Sequence, residues 1–524
     1  MASISCTYKS LVSLLLVLLI YFQSSQSCYG FQTFGFDIHH RFSNPVKDFI
    51  GADDLPEQGS LEYYAAMAHR DRIFRGRGLA GNDNDDQLLT FSDGNETFRL
   101  ASLGFLHYAN VSLGTPSVSF LVALDTGSDL FWVPCDCSSC VRALMTRSGT
   151  EIDLNIYSPN SSSTSKKVPC NSNLCELQRA CSATSGQCPF EVLYLSNNTS
   201  SSGILVEDVL HLTTDDYQPK EIDARITFGC GQVQTGSFLD GAAPNGLFGL
   251  GMDKTSVPSI LSSAGLVADS FSMCFGTDGI GRISFGDKGS SDQEETPFNV
   301  RQLHPTYNIS VTQIKVEANL TNIDFSAIFD SGTSFTYLND PAYTVISESF
   351  NSQALDKRRS SDPRIPFEYC YDMSSNGSEI MLPNVTLTMK GGSQFPVFDP
   401  IVVISEGGGY RYCLGVVKSP NVNIIGQNFM TGHRIVFDRE KLVLGWKKSD
   451  CDEIEDSSTL PRKTPNSTEV PPATAVEPGN NLTPRTAGDG PNSRAPQFSV
   501  GKPPHLYLIG SSILMLFLPI LLIV

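Results

Sequence analysis

The chain has 524 residues, 18% of them charged, and a formal net charge of −18. That length exceeds what one compact core carries, so two or more lobes plus non-globular segments are expected. Phosphate binding needs a basic stripe, and an acidic chain without one excludes nucleic acid as a partner.

In chain order, Lys9 precedes the apolar run Leu11 to Phe22 and small polar residues through Ser27, the build of a secretory signal peptide over 1–30. Residues 31–100 form a candidate prosegment. A helix-like stretch, Leu61 to Met67, is followed there by His69, Arg70, Arg72, Arg75 and Arg77. Those cations could lie across an anionic cleft until acid or cleavage releases them; an ordinary solvated helix face has the same charge pattern. From Leu103 to Trp446 short β-branched and aromatic runs alternate with Gly, Asn, Asp and Pro, which predicts an all-β region of many hairpins. It divides into lobes over 101–292 and 298–452. A Pro-, Thr- and Asn-rich stalk follows over 453–495. Over 496–524 the chain ends in nineteen uncharged, mostly apolar residues with no basic stop, Leu506 to Val524. With the small residues Gly488, Asn492 and Ser493 upstream, this fits a signal for a glycosylphosphatidylinositol anchor; a plain tail anchor is the alternative. The expected location is the extracellular face of the plasma membrane.

Fourteen cysteines fit an oxidising compartment. Twelve lie in the β region: Cys135, Cys137, Cys140, Cys170, Cys175, Cys181, Cys188, Cys230, Cys274, Cys370, Cys413 and Cys451. They predict six disulfides of undecidable connectivity. The spacing of Cys135, Cys137 and Cys140 also suits zinc, but the compartment favours disulfides, and no metal or other cofactor is expected. Glycosylation sequons begin at Asn95, Asn110, Asn160, Asn197, Asn198, Asn308, Asn319, Asn376, Asn384, Asn466 and Asn481. His-Glu-x-x-His and Gly-x-Ser-x-Gly are both absent, which removes support for metalloprotease and serine-hydrolase chemistry.

One repeat organises the β region. Leu124-Asp125-Thr126-Gly127-Ser128 returns 205 residues later as Phe329-Asp330-Ser331-Gly332-Thr333, each between apolar runs. A second echo follows each copy, Gly246-Leu247-Phe248-Gly249-Leu250-Gly251 and Asn423-Ile424-Ile425-Gly426-Gln427. A strand ending in Asp-Thr/Ser-Gly-Ser/Thr puts a carboxylate on a tight turn: glycines Gly127 and Gly332 give the backbone freedom, and the hydroxyls orient the acid. Two such turns face to face make a pair in which one carboxylate serves as base toward water and the other as acid toward a carbonyl.

On these motifs the chain resembles the pepsin-like aspartic proteases, and more closely the nepenthesin-type plant branch, across Tyr108 to Cys451. The resemblance implies a bilobal all-β fold with the cleft between pseudo-symmetric lobes, and a monomeric aspartic endopeptidase acting on protein or peptide. Asp125 and Asp330 would be the catalytic dyad, Ser128 and Thr333 their outer partners, and Thr126 and Ser331 the hydroxyls joining the two turns. Tyr194 would be the flap tyrosine, supported by Trp132. Two departures stand out. Tyr194 runs into Leu195-Ser196-Asn197-Asn198-Thr199 where the family has Gly-Asp-Gly-Ser, and Ser331 replaces the Thr of pepsin. The alternative is a pepsin-fold binding protein that has lost catalysis; such proteins typically lack one Asp or its hydroxyl partners, and here both sets are present.

Overall fold

The computed structural model describes residues 33–50, 58–75, 105–145, 151–181, 186–194, 199–214, 220–276, 279–300, 305–373, 383–398, 400–406, 409–449 and 451, all within one compact unit, Met1–Pro465. The signal peptide, the stalk, the anchor signal with Gly488, Asn492 and Ser493, and the Arg77 position lie outside them.

Antiparallel β structure dominates, as the short apolar runs predict. The strand Val118–Asp125 pairs antiparallel with His107–Leu113, from Leu113↔Val118 to Tyr108↔Ala123. Phe120, Val122 and Leu124 point to one core and Leu121 and Ala123 to another, so the run is apolar on both faces. Its other neighbour is Leu247–Gly249, which runs parallel to it with Gly249 opposite Asp125. In the second half Asn319–Phe329 pairs antiparallel with Asn308–Val316, and its other neighbour, Ile424–Ile425, runs parallel with Ile425 opposite Phe329. Both echoes of the sequence repeat are therefore the strands that flank the two Asp-bearing strands. The glycines are required there by close approach: a Cβ on Gly249 would lie 2.0 Å from the Asp129 carbonyl oxygen, and one on Gly426 2.2 Å from that of Phe335.

The two halves are not separate sheets. Ser270–Phe275, from the first half, pairs antiparallel with His433–Asp438 from the second, and Phe271 stacks on Phe437 at 4.7 Å. A fourteen-stranded sheet thus runs through the expected boundary between the lobes.

The segment expected to be a prosegment is woven into the same sheet. Phe34–His40 pairs antiparallel with Ile280–Phe285 over Phe34↔Phe285 to His39↔Ile280, and His39 opposes Tyr108. The helix Leu61–Arg75 begins where the Ser60 hydroxyl accepts the Tyr63 N–H at 3.1 Å, an N-cap. Leu61, Ala65 and Ala68, one helical stripe, bury themselves among Phe335, Tyr337, Phe367, Val402 and Ile404 of the second half. The side chains of His69, Arg70, Arg72 and Arg75 lie outside the described ones.

Six disulfides pair Cys135 with Cys230, Cys137 with Cys140, Cys170 with Cys181, Cys175 with Cys188, Cys274 with Cys451 and Cys370 with Cys413. The three cysteines with zinc-like spacing are thereby all consumed, and among the described residues no cluster of His, Cys, Asp or Glu is placed to hold a metal. Of the sequons, Asn110, Asn160, Asn319 and Asn384 are exposed. Asn308 is a correction to the sequence reading: it is 7% exposed in a strand, with its side-chain oxygen accepting an N–H from Asn299 at 2.8 Å, so it is not presented at the surface as a glycan acceptor. Asn95, Asn197, Asn198, Asn376, Asn466 and Asn481 lie outside the described residues. Among the described residues no helix is long and apolar enough to cross a membrane.

Candidate active site

Each Asp-bearing strand ends in a turn that folds back on its own carboxylate. At the first, the Gly127 N–H donates to Asp125 Oδ1 at 3.0 Å and the Ser128 hydroxyl to Oδ2 at 2.8 Å. At the second, the Gly332 N–H donates to Asp330 Oδ1 at 2.8 Å and the Thr333 hydroxyl to Oδ2 at 2.6 Å. The two turns carry the same pair of donors in the same order, which fixes the plane of each carboxylate. Their spines touch: Thr126 Oγ1 and Ser331 Oγ lie 3.3 Å apart, and the Ser331 N–H donates to Thr126 Oγ1 at 3.2 Å. All three hydroxyls closest to this seam are buried, Thr126 at 4% exposure, Ser331 at 3% and Thr333 at 5%. The inner oxygens of both acids converge on one glycine, since a Cβ on Gly332 would lie 3.0 Å from Asp330 Oδ1 and 3.3 Å from Asp125 Oδ1. Any larger residue at 332 would crowd the space between the acids.

The parallel neighbours lock these turns from behind. The Leu250 N–H donates to the Asp125 carbonyl at 2.9 Å and the Gly251 N–H to that of Ser128 at 2.9 Å; in the second half the Asp330 N–H donates to Ile425 at 3.1 Å and the Gln427 N–H to Thr333 at 2.8 Å. Both turns are thus held by main-chain bonds on one side and by each other on the other.

Pro189–Tyr194 and Thr199–Thr214 form a hairpin whose pairing ends at Tyr194↔Thr199. Trp132 is fully buried and its indole N–H donates to the Tyr194 hydroxyl at 3.2 Å. Phe238 completes the group, edge-on to Tyr194 at 5.0 Å and to Trp132 at 4.9 Å. Sequence reasoning missed Phe238; its only local signal is the preceding Gly236-Ser237 turn. The unusual run Leu195-Ser196-Asn197-Asn198 falls outside the described residues. Also unforeseen is Asp71 of the Leu61–Arg75 helix, 1% exposed and hydrogen-bonded to the residues that follow Thr333.

Two half-alike β lobes that bring a clasped carboxylate each to a common seam define the bilobal acid-protease class of fold. Comparison with known proteins agrees. A family model described as xylanase inhibitor N-terminal matches residues 107–287, and one described as xylanase inhibitor C-terminal matches 306–448. The Arabidopsis thaliana "Aspartyl protease family protein 1" is 60% identical over 476 residues, 90% of this chain and 92% of that one. The "Aspartic proteinase nepenthesin-2" of Nepenthes gracilis is 25% identical over 383 residues, 70% and 82% of the two chains. Among solved structures, conglutin gamma from lupine seeds superposes with a TM-score of 0.52 at 21% identity, over 66% of this chain and 92% of that one, a likeness of fold alone. The chain belongs to the pepsin-like aspartic protease family, in its nepenthesin-type plant branch.

Proposed function

We propose that the chain is an aspartic endopeptidase that hydrolyses peptide bonds in acid with water activated between Asp125 and Asp330. The observation that carries this reading is the completeness of both clasps, each with its carboxylate, its glycine N–H and its hydroxyl. In this mechanism one aspartate is ionised and its neighbour protonated. The ionised acid takes a proton from water as the water oxygen bonds to the scissile carbonyl carbon, and the protonated acid gives its proton to the carbonyl oxygen. As the C–N bond of the tetrahedral diol breaks, the aspartate that took the water proton gives it to the departing nitrogen and the other takes a proton from a diol hydroxyl, which restores one ionised and one protonated acid. No covalent enzyme intermediate forms and no cofactor is used. Tyr194, held by Trp132, closes over an extended peptide and keeps bulk water out.

The Xylanase inhibitor descriptions of the family model raise the other reading, a silent binding protein. Two intact clasps argue against it, because a binding role exerts no demand on a matched pair of oriented acids. The secretory leader, the sequons and the C-terminal apolar run support display on the outer face of the plasma membrane through a lipid anchor.

The test is turnover of denatured protein at acid pH by the purified chain, with and without pepstatin. Asp125→Asn and Asp330→Asn each replace a carboxylate by an isosteric amide. Each is expected to lower kcat at least ~10³-fold, in the range lost when a group central to the chemistry is removed, with an unchanged circular dichroism spectrum. Full activity in either variant overturns the reading.

A further inference from the structure

The Leu61–Arg75 helix brings one carboxylate to the second half of the molecule. Asp71 is 1% exposed and receives five hydrogen bonds there. The Ser334 N–H lies 3.0 Å from Oδ1 and 3.1 Å from Oδ2, and the Ser334 hydroxyl donates to Oδ1 at 2.8 Å. The Phe335 N–H and the Tyr337 hydroxyl donate to Oδ2 at 3.2 and 3.1 Å. Each of these partners is a donor, the chemistry that receives an anion.

Where the cradle sits matters as much as what it is made of. It begins one residue beyond Thr333, whose hydroxyl holds the Asp330 carboxylate. The Ser334 and Phe335 N–H groups precede the strand Thr336–Leu338 and take no part in its pairing. Their partner comes instead from more than 260 residues away in sequence, on a helix that lies in the chain between the strand Phe34–His40 and residues 76–104. Were that helix to leave, two main-chain donors beside the catalytic turn would lose their partner, a costly state unless water or another acceptor replaces it.

We infer that Ser334, Phe335 and Tyr337 form a carboxylate-binding subsite of the cleft, filled in the intact chain by Asp71 and taken by an acidic side chain of a peptide substrate once the helix is displaced. The inference rests on the peptidase reading for its substrate half alone. The occupant in the intact chain makes the helix a self-docked competitor, held to the lobe through an anion. The enzyme would accordingly prefer peptides with Asp or Glu at one fixed distance from the cleaved bond.

Hydrogen exchange on the full chain tests the cradle without calling on activity. Asp71→Asn is expected to raise exchange at least ~10-fold over residues 61–75 and 333–338, because the amide nitrogen meets donors instead of accepting from them. A synthetic peptide of residues 58–75, added to the Asp71→Asn protein, should restore protection at 333–338, whereas the same peptide with Asn in place of the Asp should not. Unchanged exchange in the variant, or equal protection by both peptides, overturns the cradle. A second measurement takes the acid-activated protein and substrates carrying Asp or Asn at each position in turn. One position should favour Asp about tenfold in kcat/KM, the size of one charge-assisted hydrogen bond, and Tyr337→Phe should shrink that ratio several-fold. Cleavage with no acidic preference at any position overturns the substrate half. Absence of all cleavage, with the exchange results as expected, overturns the peptidase reading and leaves Asp71 in its cradle.

Discussion

His433 should limit how far the fold tolerates acid. It is fully buried on the strand His433–Asp438, its ring stacked between Phe395 at 4.6 Å and Phe398 at 4.5 Å. Burial pushes the imidazole from its ordinary 6.5 down to about 4, offset in part by a backbone interaction with Thr431. The Lys448 ammonium lies on Phe398, 5.3 Å from its centroid, and a cation on that ring adds no welcome for a second positive charge. As pH falls through 6.5 the unfolded chain protonates this histidine while the folded chain holds it neutral down to about 4. The stability it contributes is therefore complete above pH 6.5, declines as pH falls toward 4, and is gone below that. Each tenfold difference in proton affinity is worth about 1.4 kcal/mol, so the loss across this window is about 3 kcal/mol. His433→Leu removes the titrating group and keeps an apolar filler. Urea unfolding at pH 7 and pH 4, followed by the fluorescence of Trp132 and Trp446 with disulfides intact, measures the difference for each protein. Packing changes that do not depend on pH cancel in that comparison, and the carboxylates common to both proteins largely cancel too. The wild-type chain should lose about 3 kcal/mol more than the variant between the two pH values. Parallel losses in the two proteins would refute the argument.

Three further outcomes follow from the site. Trp132→Phe deletes the indole N–H that holds the Tyr194 hydroxyl at 3.2 Å; losing about 1 kcal/mol should lower kcat/KM roughly fivefold, read on a peptide substrate in acid. Gly249→Ala puts a methyl 2.0 Å from the Asp129 carbonyl oxygen, so the strand behind Asp125 must shift; a fall in melting temperature of several degrees and lost turnover are expected, and an unchanged melting curve would contradict the contact. Gly332→Ala inserts a carbon 3.0 and 3.3 Å from the two inner carboxylate oxygens, and should abolish turnover while costing little stability, separable by melting and activity on one preparation.

The dyad and its clasps were legible in the sequence because their geometry is local. Asp125 is held by Gly127 and Ser128, and Asp330 by Gly332 and Thr333, within three residues of each acid. A tetrapeptide repeated with apolar flanks carries that information whole, as does the all-β texture that surrounds it. The downstream apolar-Gly echoes were legible for the same reason, since a glycine forced by a 2.0 Å approach leaves a mark on its own position.

What the sequence could not carry is which distant partner each group meets. Six disulfides were countable, but the choice among pairings is made by which strands become neighbours, as when Cys370 and Cys413 fall opposite each other in register. Asn308 reads as a sequon whatever its surroundings, and only the strand register turns it inward toward Asn299. The N-terminal segment reads as a candidate prosegment from its run of basic residues. Only the tertiary structure shows Phe34–His40 as a strand of the main sheet and Asp71 as the residue that reaches Ser334. Sequence alone thus determined two short turns and the carboxylate that each one holds. Tertiary structure decided where those turns meet and which carboxylate lies beside them, because hydrogen bonds and packing between segments hundreds of residues apart leave no periodic trace in either segment.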